Sequence, residues 1–325
     1  EPGEFTRRSF ENNKLDLTQV EAIADLVNAE TEYQRKQAYS QLEGKLTLKT
    51  KEIYNELKNT LANIEAIIDF TDEELPKKLL NNTKEQIENI SDNIESILNN
   101  NNKGRKIREG FVVGIIGNTN TGKSSFINNV SNQEIAIVSN KPGTTRDAIE
   151  SYIDIMGLPV RFYDTAGIRK HRNAIEKKGI IKSKEISKDS DLNLVFINNI
   201  SEINDFKCFL NSIFVQSKYD IRKKPITKNN ITNISSKTNY GINSLLKKIF
   251  KRLSEKNFTE NTYISRERHI ECLRKTRKYL EKSKKKKNLD VFAEDIRLAI
   301  KEVSKIYGNV DIENILDIIF SDFCI

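Results

Sequence analysis

From Leu15 to Leu98 the apolar residues return every third or fourth position, as in "LTQVEAIADLV" and "EIYNELKNTLANIEAIIDF", with "DEELP" and Asn-rich polar pieces between them. That period predicts a helical block. From Phe111 to about Leu253 the rhythm changes: short apolar runs ("FVVGII", "YIDIM", "VRFYD", "LNLVFI", "SIFVQS", "ITNIS") alternate with helical stretches. Such alternation predicts a mostly parallel sheet wound by helices. After "FTENTYISRERH" the helical period resumes through "ECLRKTRKYLEKS", "FAEDIRLAIKEVSKIYG" and "DIENILDIIFSDF". The pattern therefore predicts an α/β domain over 107–256 inserted into an all-α domain built from 15–106 and 257–325, with 1–14 as a leading linker. No internal repeat is seen.

Composition narrows the classes. The chain has 325 residues, enough for two domains, and its 37% hydrophobic content supports true cores. A net charge of +8 suits an acidic partner such as RNA, and equally a Lys- and Asn-biased composition. Cys208, Cys272 and Cys324 form no CxxC pair and, with only two histidines, no metal spacing, which points to a reducing, cytoplasmic compartment. His171 and His269 show no ligand geometry and are expected at the surface or at helix caps. No apolar run spans a bilayer, and no membrane role is expected. Starting at Glu1 without Met, the chain is expected to be part of a longer product.

The chemistry lies in the α/β block. "GNTNTGKS", Gly117 to Ser124, follows the strand "FVVGII" and opens the helix "SSFINNV", the context of a phosphate-binding loop. Backbone amides around Thr121, Gly122 and Ser125 cradle phosphate oxygens there. Lys123 neutralises the β- and γ-phosphates, and the Ser124 hydroxyl suits Mg²⁺. Downstream, "DTAG" (Asp164, Thr165, Ala166, Gly167) closes the strand "VRFYD", where a carboxylate belongs near the metal and an amide near the γ-phosphate. "KPGTTRD" places Thr144 and Thr145 in a loop that can bring a hydroxyl to the metal. "SKYD", with Ser217, Lys218 and Asp220, follows the fifth run, and "SSK", with Ser235, Ser236 and Lys237, the sixth. Asp220 can accept from guanine N1–H and the 2-amino group together, a donor pair adenine lacks. Each short motif is weak alone; in this order on these strand ends they describe a GTP-binding switch domain.

The order GxxxxGKS, GTTRD, DTAG, KxD, SSK resembles translation-factor-class small GTPases. The flanks "PGEFTRRSFENNKLDLTQVEAIADLVNAET" and "IFSDFCI" make the whole chain similar to the tRNA-modification GTPase MnmE (TrmE) family. That resemblance implies a Ras-like P-loop GTPase domain inserted in a helical domain. It also implies an answer for Asn120, a carboxamide that phosphate binding does not require. After DTAG stands Ile168, which cannot orient water as a Ras-type Gln does. The resemblance implies hydrolysis activated by K⁺, with Asn120 as a ligand beside Ser139 and Lys141, through their backbone carbonyls, and Thr144. Read alone, Asn120 can equally be a residue that ties down the loop. The position of Glu176 matches the family's catalytic Glu, which orients water; read alone it is a Glu at a helix start.

The resemblance further implies modification at C5 of the wobble uridine of certain tRNAs, of the carboxymethylaminomethyl type. The flavoprotein MnmG (GidA) would be the partner, 5-formyl-tetrahydrofolate the one-carbon donor, and a homodimer formed through the GTPase domains, within a heterotetramer, the assembly. Lys14 matches a folate-contacting residue, yet the folate-binding domain that precedes "PGEFT" in the family is not in this chain, so little folate binding is expected. The family ends Cys-Ile-Gly-Lys and here the chain stops at Ile325, leaving Cys324 as a candidate for the modification chemistry or a packing residue. Ser217 stands where the guanine motif normally has Asn, so one carboxamide interaction is expected to be missing. The run "KSKKKK" is either a site for tRNA phosphate or a solvated helix end. Two other readings stay open: an RNA-binding GTPase of ribosome assembly, and a degenerate scaffold that no longer turns over GTP.

Overall fold

The computed structural model describes residues 3–69, 77–132, 150–164, 189–222, 226, 231–254, 263–286 and 288–309. These fall into two units. The first gathers 1–29, 34–108 and 259–325; the second gathers 30–33 and 109–258. The chain thus leaves the first unit, builds the second, and returns.

The first unit is helical: α1 (Glu4–Glu11), α2 (Leu17–Val27), most of α3 (Glu32–Leu42), α4 (Lys45–Asp69) and α5 (Lys77–Glu109) precede the second unit. Its α1 lies in the stretch predicted as a linker. Arg7 pairs with Glu11 and Arg8 with Glu4 one turn apart, a local stabilisation that hydrophobic periodicity does not register. Asp16 begins α2 with a full capping box: it accepts from the Gln19 backbone N–H at 3.0 Å, and Gln19 Oε1 accepts from the Asp16 N–H at 3.0 Å. Asp16 also accepts from the Thr47 hydroxyl at 2.7 Å, tying α2 to α4. The core is an apolar cluster in which Leu46, Ile53, Leu57 and Ile64 of α4 and Ile87, Ile90 and Ile94 of α5 meet residues from the far end of the chain. Most of those partners lie on two later helices, α8 (Glu267–Ser283), with Leu273 and Leu280, and α9 (Leu289–Ser304), with Phe292, Ile296 and Val303; Tyr263, Ile264 and Ile306 flank them.

The second unit is built on a six-stranded sheet. Its strands are β1 (Phe111–Gly117), β2 (Glu150–Ile155), β3 (Leu158–Asp164), β4 (Leu192–Phe196), β5 (Ser212–Gln216) and β6 (Ile231–Asn233), in the order β2-β3-β1-β4-β5-β6. Among these described strands β2 runs antiparallel, paired with β3 across a tight turn, and the other pairings are parallel. The central strands explain the unbroken apolar runs: all of "LNLVF" in β4 is buried and β1 is nearly so, with Phe126 of α6 packed on Phe196 and a second cluster of Phe209, Ile226 and Ile231 packed with Ile116, Val195 and Ile197. Among the described residues this unit carries two α-helices, α6 (Lys123–Ser131) and α7 (Ile242–Ser254). Phe126 of α6 packs edge-on against Phe162 of β3 with ring centroids 5.7 Å apart, and lies at the same distance from Phe196 of β4. This fixes α6 over β1 and β3. The loops after β1, β5 and β6 therefore emerge together at the carboxyl ends of parallel strands, beside the point where the strand order reverses direction around β1.

Candidate nucleotide site

The loop from Asn118 to Gly122 joins β1 to α6 and is shaped by two glycines. Gly117 has φ +144, and a Cβ there would collide with the Phe196 carbonyl of β4. Gly122 has φ +88 and leads directly into α6, where a Cβ would collide with Ser217 Oγ and come within 2.9 Å of Ser217 Cβ. Both positions demand the conformational freedom and the missing side chain of glycine. Lys123 is 5% exposed and folds its ammonium back into the loop, donating to Gly117 O at 2.8 Å and to Asn118 O at 2.5 Å. A buried ammonium held by carbonyls of a loop is poised for an anionic ligand, because phosphate oxygens outcompete neutral carbonyls for it.

Asn120 sits at φ +59, the left-handed region that Asn tolerates better than other non-glycine residues. It is exposed, and its backbone carbonyl accepts from Lys218 Nζ at 2.8 Å. Asn120 thus has a backbone reason to be Asn, while its carboxamide stays accessible to a ligand. Ser124 and Ser125 open the first turn of α6, Ser124 exposed to solvent and Ser125 likewise.

The turn after β5 closes on this loop. Ser217 is 2% exposed and its hydroxyl donates to Thr121 O at 2.5 Å, so a tie from this turn to the phosphate loop exists through a hydroxyl where the motif ordinarily carries a carboxamide. Thr121, 1% exposed, donates in turn to Asn118 O at 2.8 Å. Lys218, at φ +60, turns the chain so that Asp220 faces solvent. The Asp220 carboxylate accepts from Ser235 Oγ at 2.7 Å, which links the turn to the loop after β6. Asn129 of α6 donates to Ser236 O at 2.8 Å and to Asn239 Oδ1 at 2.7 Å, holding that loop against α6. Lys237 is exposed. Three separate segments are thereby brought to one rim of the sheet.

Sequence reasoning missed the layer behind these loops. Arg222 donates from Nε to Ser217 O at 2.7 Å and from its guanidinium to Asn198 O and Oδ1, each at 3.1 Å. Glu202 accepts from the Asn198 N–H at 3.2 Å and from Asn118 Nδ2 at 3.3 Å. Arg222 so supports the base-side turn and Glu202 the phosphate loop, each directly, and Asn198 joins the two. None of these residues belongs to a periodic pattern or a fixed spacing, so no signal marked them.

Asp164 ends β3, beside Ile115 of β1 in register. Its side chain, and Ser139, Lys141, Thr144, Thr145, Thr165, Ala166, Gly167, Glu176, Cys324 and His171, lie outside the described residues. Lys14 is exposed in the turn after α1, where its N–H donates to Ser9 O at 2.9 Å.

His269 requires a correction. It is expected at the surface, yet it is fully buried in the first unit, its Nε2 2.7 Å from Glu21 Oε2. Arg268 donates to both oxygens of Glu21, each at 3.1 Å, and Arg266 reaches Asp25 at 2.8 Å. Burial opposes ionisation of Glu21, but the hydrogen bond from His269 and the guanidinium charges of Arg268 and Arg266 overcome it and hold the carboxyl far below the usual carboxylate range. For His269 burial dominates and lowers its pKa despite Glu21, so the imidazole stays neutral and donates to the carboxylate.

No helix among the described residues is long and apolar enough to cross a membrane. A family model described as the MnmE helical domain matches residues 17–324. The tRNA modification GTPase MnmE of Pelagibacter ubique (strain HTCC1062) is 42% identical over 346 residues, covering 100% of this chain and 76% of that protein. That of Parvibaculum lavamentivorans is 40% identical over 333 residues, with the same coverage. Among solved structures, the G domain of the T. maritima FeoB iron transporter is 20% identical and covers 44% of this chain and 98% of its own, with a TM-score of 0.34. With a P-loop sheet that interrupts a helical unit, a family model matching nearly end to end and relatives at these identities, the chain belongs to the tRNA modification GTPase MnmE family.

Proposed function

We propose that this chain hydrolyses GTP to drive tRNA modification, as a K⁺-activated switch acting in formation of a carboxymethylaminomethyl-type group at C5 of the wobble uridine. The observation that supports the nucleotide half is the convergence of Lys123, Asn120 and Asp220 on one rim, with Lys123 Nζ held by the carbonyls of its own loop. On GTP entry the ammonium exchanges those carbonyls for phosphate oxygens, while the amides around Gly122 point at the same charge. Asp220, steadied by Ser235 through one oxygen, keeps acceptor capacity on both oxygens for the N1–H and 2-amino donors of the guanine edge.

The donor set fits the ions. The Ser124 hydroxyl at the head of α6 would hold Mg²⁺ with Thr145, and the accessible Asn120 carbonyl would hold K⁺ with Ser139, Lys141 and Thr144. Bound there, the two ions supply positive charge to the transferring phosphoryl group. Glu176 orients the attacking water, the role that Ile168 cannot play.

The RNA half has its own support. Helix α8 buries Cys272, Leu273, Thr276 and Leu280 on one side, and Arg274, Lys275 and Lys278 stand exposed on the other, continued by Lys282, Lys285 and Lys286. Lys282 pairs with Asp295 at 3.2 Å and Arg274 with Glu267 at 2.9 Å, which leaves Lys275 and Lys278 as the centre of a basic spine open to solvent. A single helical face of this kind suits a phosphate backbone. In this reading the chain works in the cytoplasm, as a homodimer through its GTPase domains, with MnmG as flavoprotein partner in a heterotetramer. The one-carbon unit comes from 5-formyl-tetrahydrofolate, with Cys324 near the chemistry and Lys14 at most a minor folate contact.

The test is GTP hydrolysis at matched ionic strength in K⁺ and Na⁺, with Asn120→Ala and Glu176→Ala alongside. Stimulation confined to K⁺ and abolished by both substitutions is the expected result. Binding without turnover in either salt refutes the proposal and leaves a scaffold.

A further inference from the structure

The turn after β5 and the loop after β6 share an interaction that no nucleotide motif accounts for. Tyr219 stands between Lys218 and Asp220, and Tyr240 follows the Ser235–Lys237 stretch by three residues. Their rings are stacked, with centroids 4.2 Å apart and planes within 7° of parallel. Neither is a core residue, for Tyr240 is 50% exposed and Tyr219 half-buried. Filling an interior does not explain the pair.

The bonds around the stack show what it spans. The Tyr219 N–H donates to Ile234 O at 3.1 Å, and the Ser235 N–H donates to Tyr240 O at 2.9 Å. Ser235 Oγ donates to Asp220 at 2.7 Å while accepting from the Thr238 N–H at 3.2 Å. Ser235, which orients the carboxylate, is thus itself held by the backbone of Tyr240. The two rings lock the residue before that carboxylate to the residue that holds its partner. A paired reading of guanine N1–H and the 2-amino group needs both oxygen-to-donor distances within hydrogen-bond range at once, a tolerance of a few tenths of an ångström. In this chain the first position of the turn is Ser217, whose one hydroxyl makes a single bond to the phosphate loop, where a carboxamide has donor and acceptor groups for more.

We infer that the Tyr219–Tyr240 stack is a clasp that fixes the two base-reading loops against each other, making these tyrosines positioning residues for guanine recognition in this chain. The inference rests on the GTP reading above. It assigns to an aromatic pair part of the stiffness that a carboxamide at position 217 would provide.

The full chain and its Tyr240→Ala, Tyr219→Ala and Tyr240→Phe variants are to be titrated with GDP and with IDP, which lacks the 2-amino group, and assayed for turnover across GTP concentrations up to saturation. An aromatic pair of this geometry predicts GDP affinity about two- to tenfold weaker in the Ala variants, with the GDP-over-IDP preference narrowed. Tyr240→Ala raises KM while kcat holds, and Tyr240→Phe retains both affinity and preference because the stack carries the effect. Unchanged GDP affinity in both Ala variants overturns the clasp. So does a weakening in Tyr240→Phe equal to that in Tyr240→Ala, or a proportional weakening of GDP and IDP that tracks a lower melting temperature. If the unsubstituted chain binds no guanine nucleotide, the GTP reading itself fails and the clasp falls with it; GDP binding with silent Ala variants refutes the clasp alone.

Discussion

Replacing Glu21 by Ala is expected to be among the most damaging single changes in the helical unit. The carboxylate is 1% exposed and takes two bonds from Arg268 at 3.1 Å and one from His269 at 2.7 Å, with Arg266 Nε 3.9 Å away. Truncation leaves two guanidiniums and an imidazole facing a hole, and breaking a buried pair from one side costs about 3–5 kcal/mol. That is a large part of the ~5–15 kcal/mol that holds a domain together. With a urea m-value of about 2 kcal/mol/M, the helical transition should move down by roughly 1.5–2.5 M. Glu21→Gln keeps the shape and one acceptor and should fall between, at ~1.5–3 kcal/mol. Adding Arg268→Met to Glu21→Ala removes the stranded charge, so the double variant should be less unstable than the summed singles by at least ~1 kcal/mol. The assay is far-UV circular dichroism through a urea series, compared with near-UV aromatic signals to test for a single transition. A Glu21→Ala midpoint indistinguishable from the parent, or strictly additive singles, would refute the reasoning, since it would mean the cluster carries no mutual stabilisation.

The same cluster sets a pH dependence. His269 is held below its ordinary 6.5, so as pH falls through that value the unfolded chain takes the proton first and stability declines. Glu21 is held below its ordinary 4.5, so a second decline begins beneath that pH. Melting temperatures from pH 8 to 4 should be flat at the top and fall in these two windows, with Glu21→Gln lacking the lower one. Ser217→Ala strands the Thr121 carbonyl and should weaken GDP binding by about three- to tenfold, read by calorimetry. Charge reversal at Lys275 and Lys278 should lower tRNA affinity and make the slope of log K against log salt shallower by about 0.9 for each duplex phosphate that is no longer neutralised. The same reversal at Lys58 and Lys84, exposed on α4 and α5, should leave that slope unchanged.

Regular structure was legible where one period ruled a stretch. Each of the six apolar runs contains or overlaps a strand, and "LTQVEAIADLV" coincides with α2 from Leu17 to Val27. The phosphate loop was legible because its glycines are required by backbone geometry at Gly117 and Gly122. Helix α1 was not, since it rests on local ion pairs and carries Phe5 exposed on its surface. Nor was the burial of His269: its partner Glu21 lies near the other end of the chain, and pairing over that separation leaves no local mark. Arg222 and the Tyr219–Tyr240 stack were invisible for the same reason, since each joins two loops and is a property of neither.

The split helical core also sets a timetable for synthesis. Ile53, Leu57, Ile64, Ile87 and Ile94 find their partners among Leu273, Leu280, Phe292 and Ile296, which leave the ribosome only after the entire sheet has been made. At ~5–20 residues per second, the first helices wait roughly ten to fifty seconds with an oily face uncovered. During that interval the nascent chain is a natural client for holding chaperones, and an N-terminal piece released early would be a seed for aggregates. The sheet, whose strands all lie in one contiguous stretch, has no such wait and can mature while its host is still half-built.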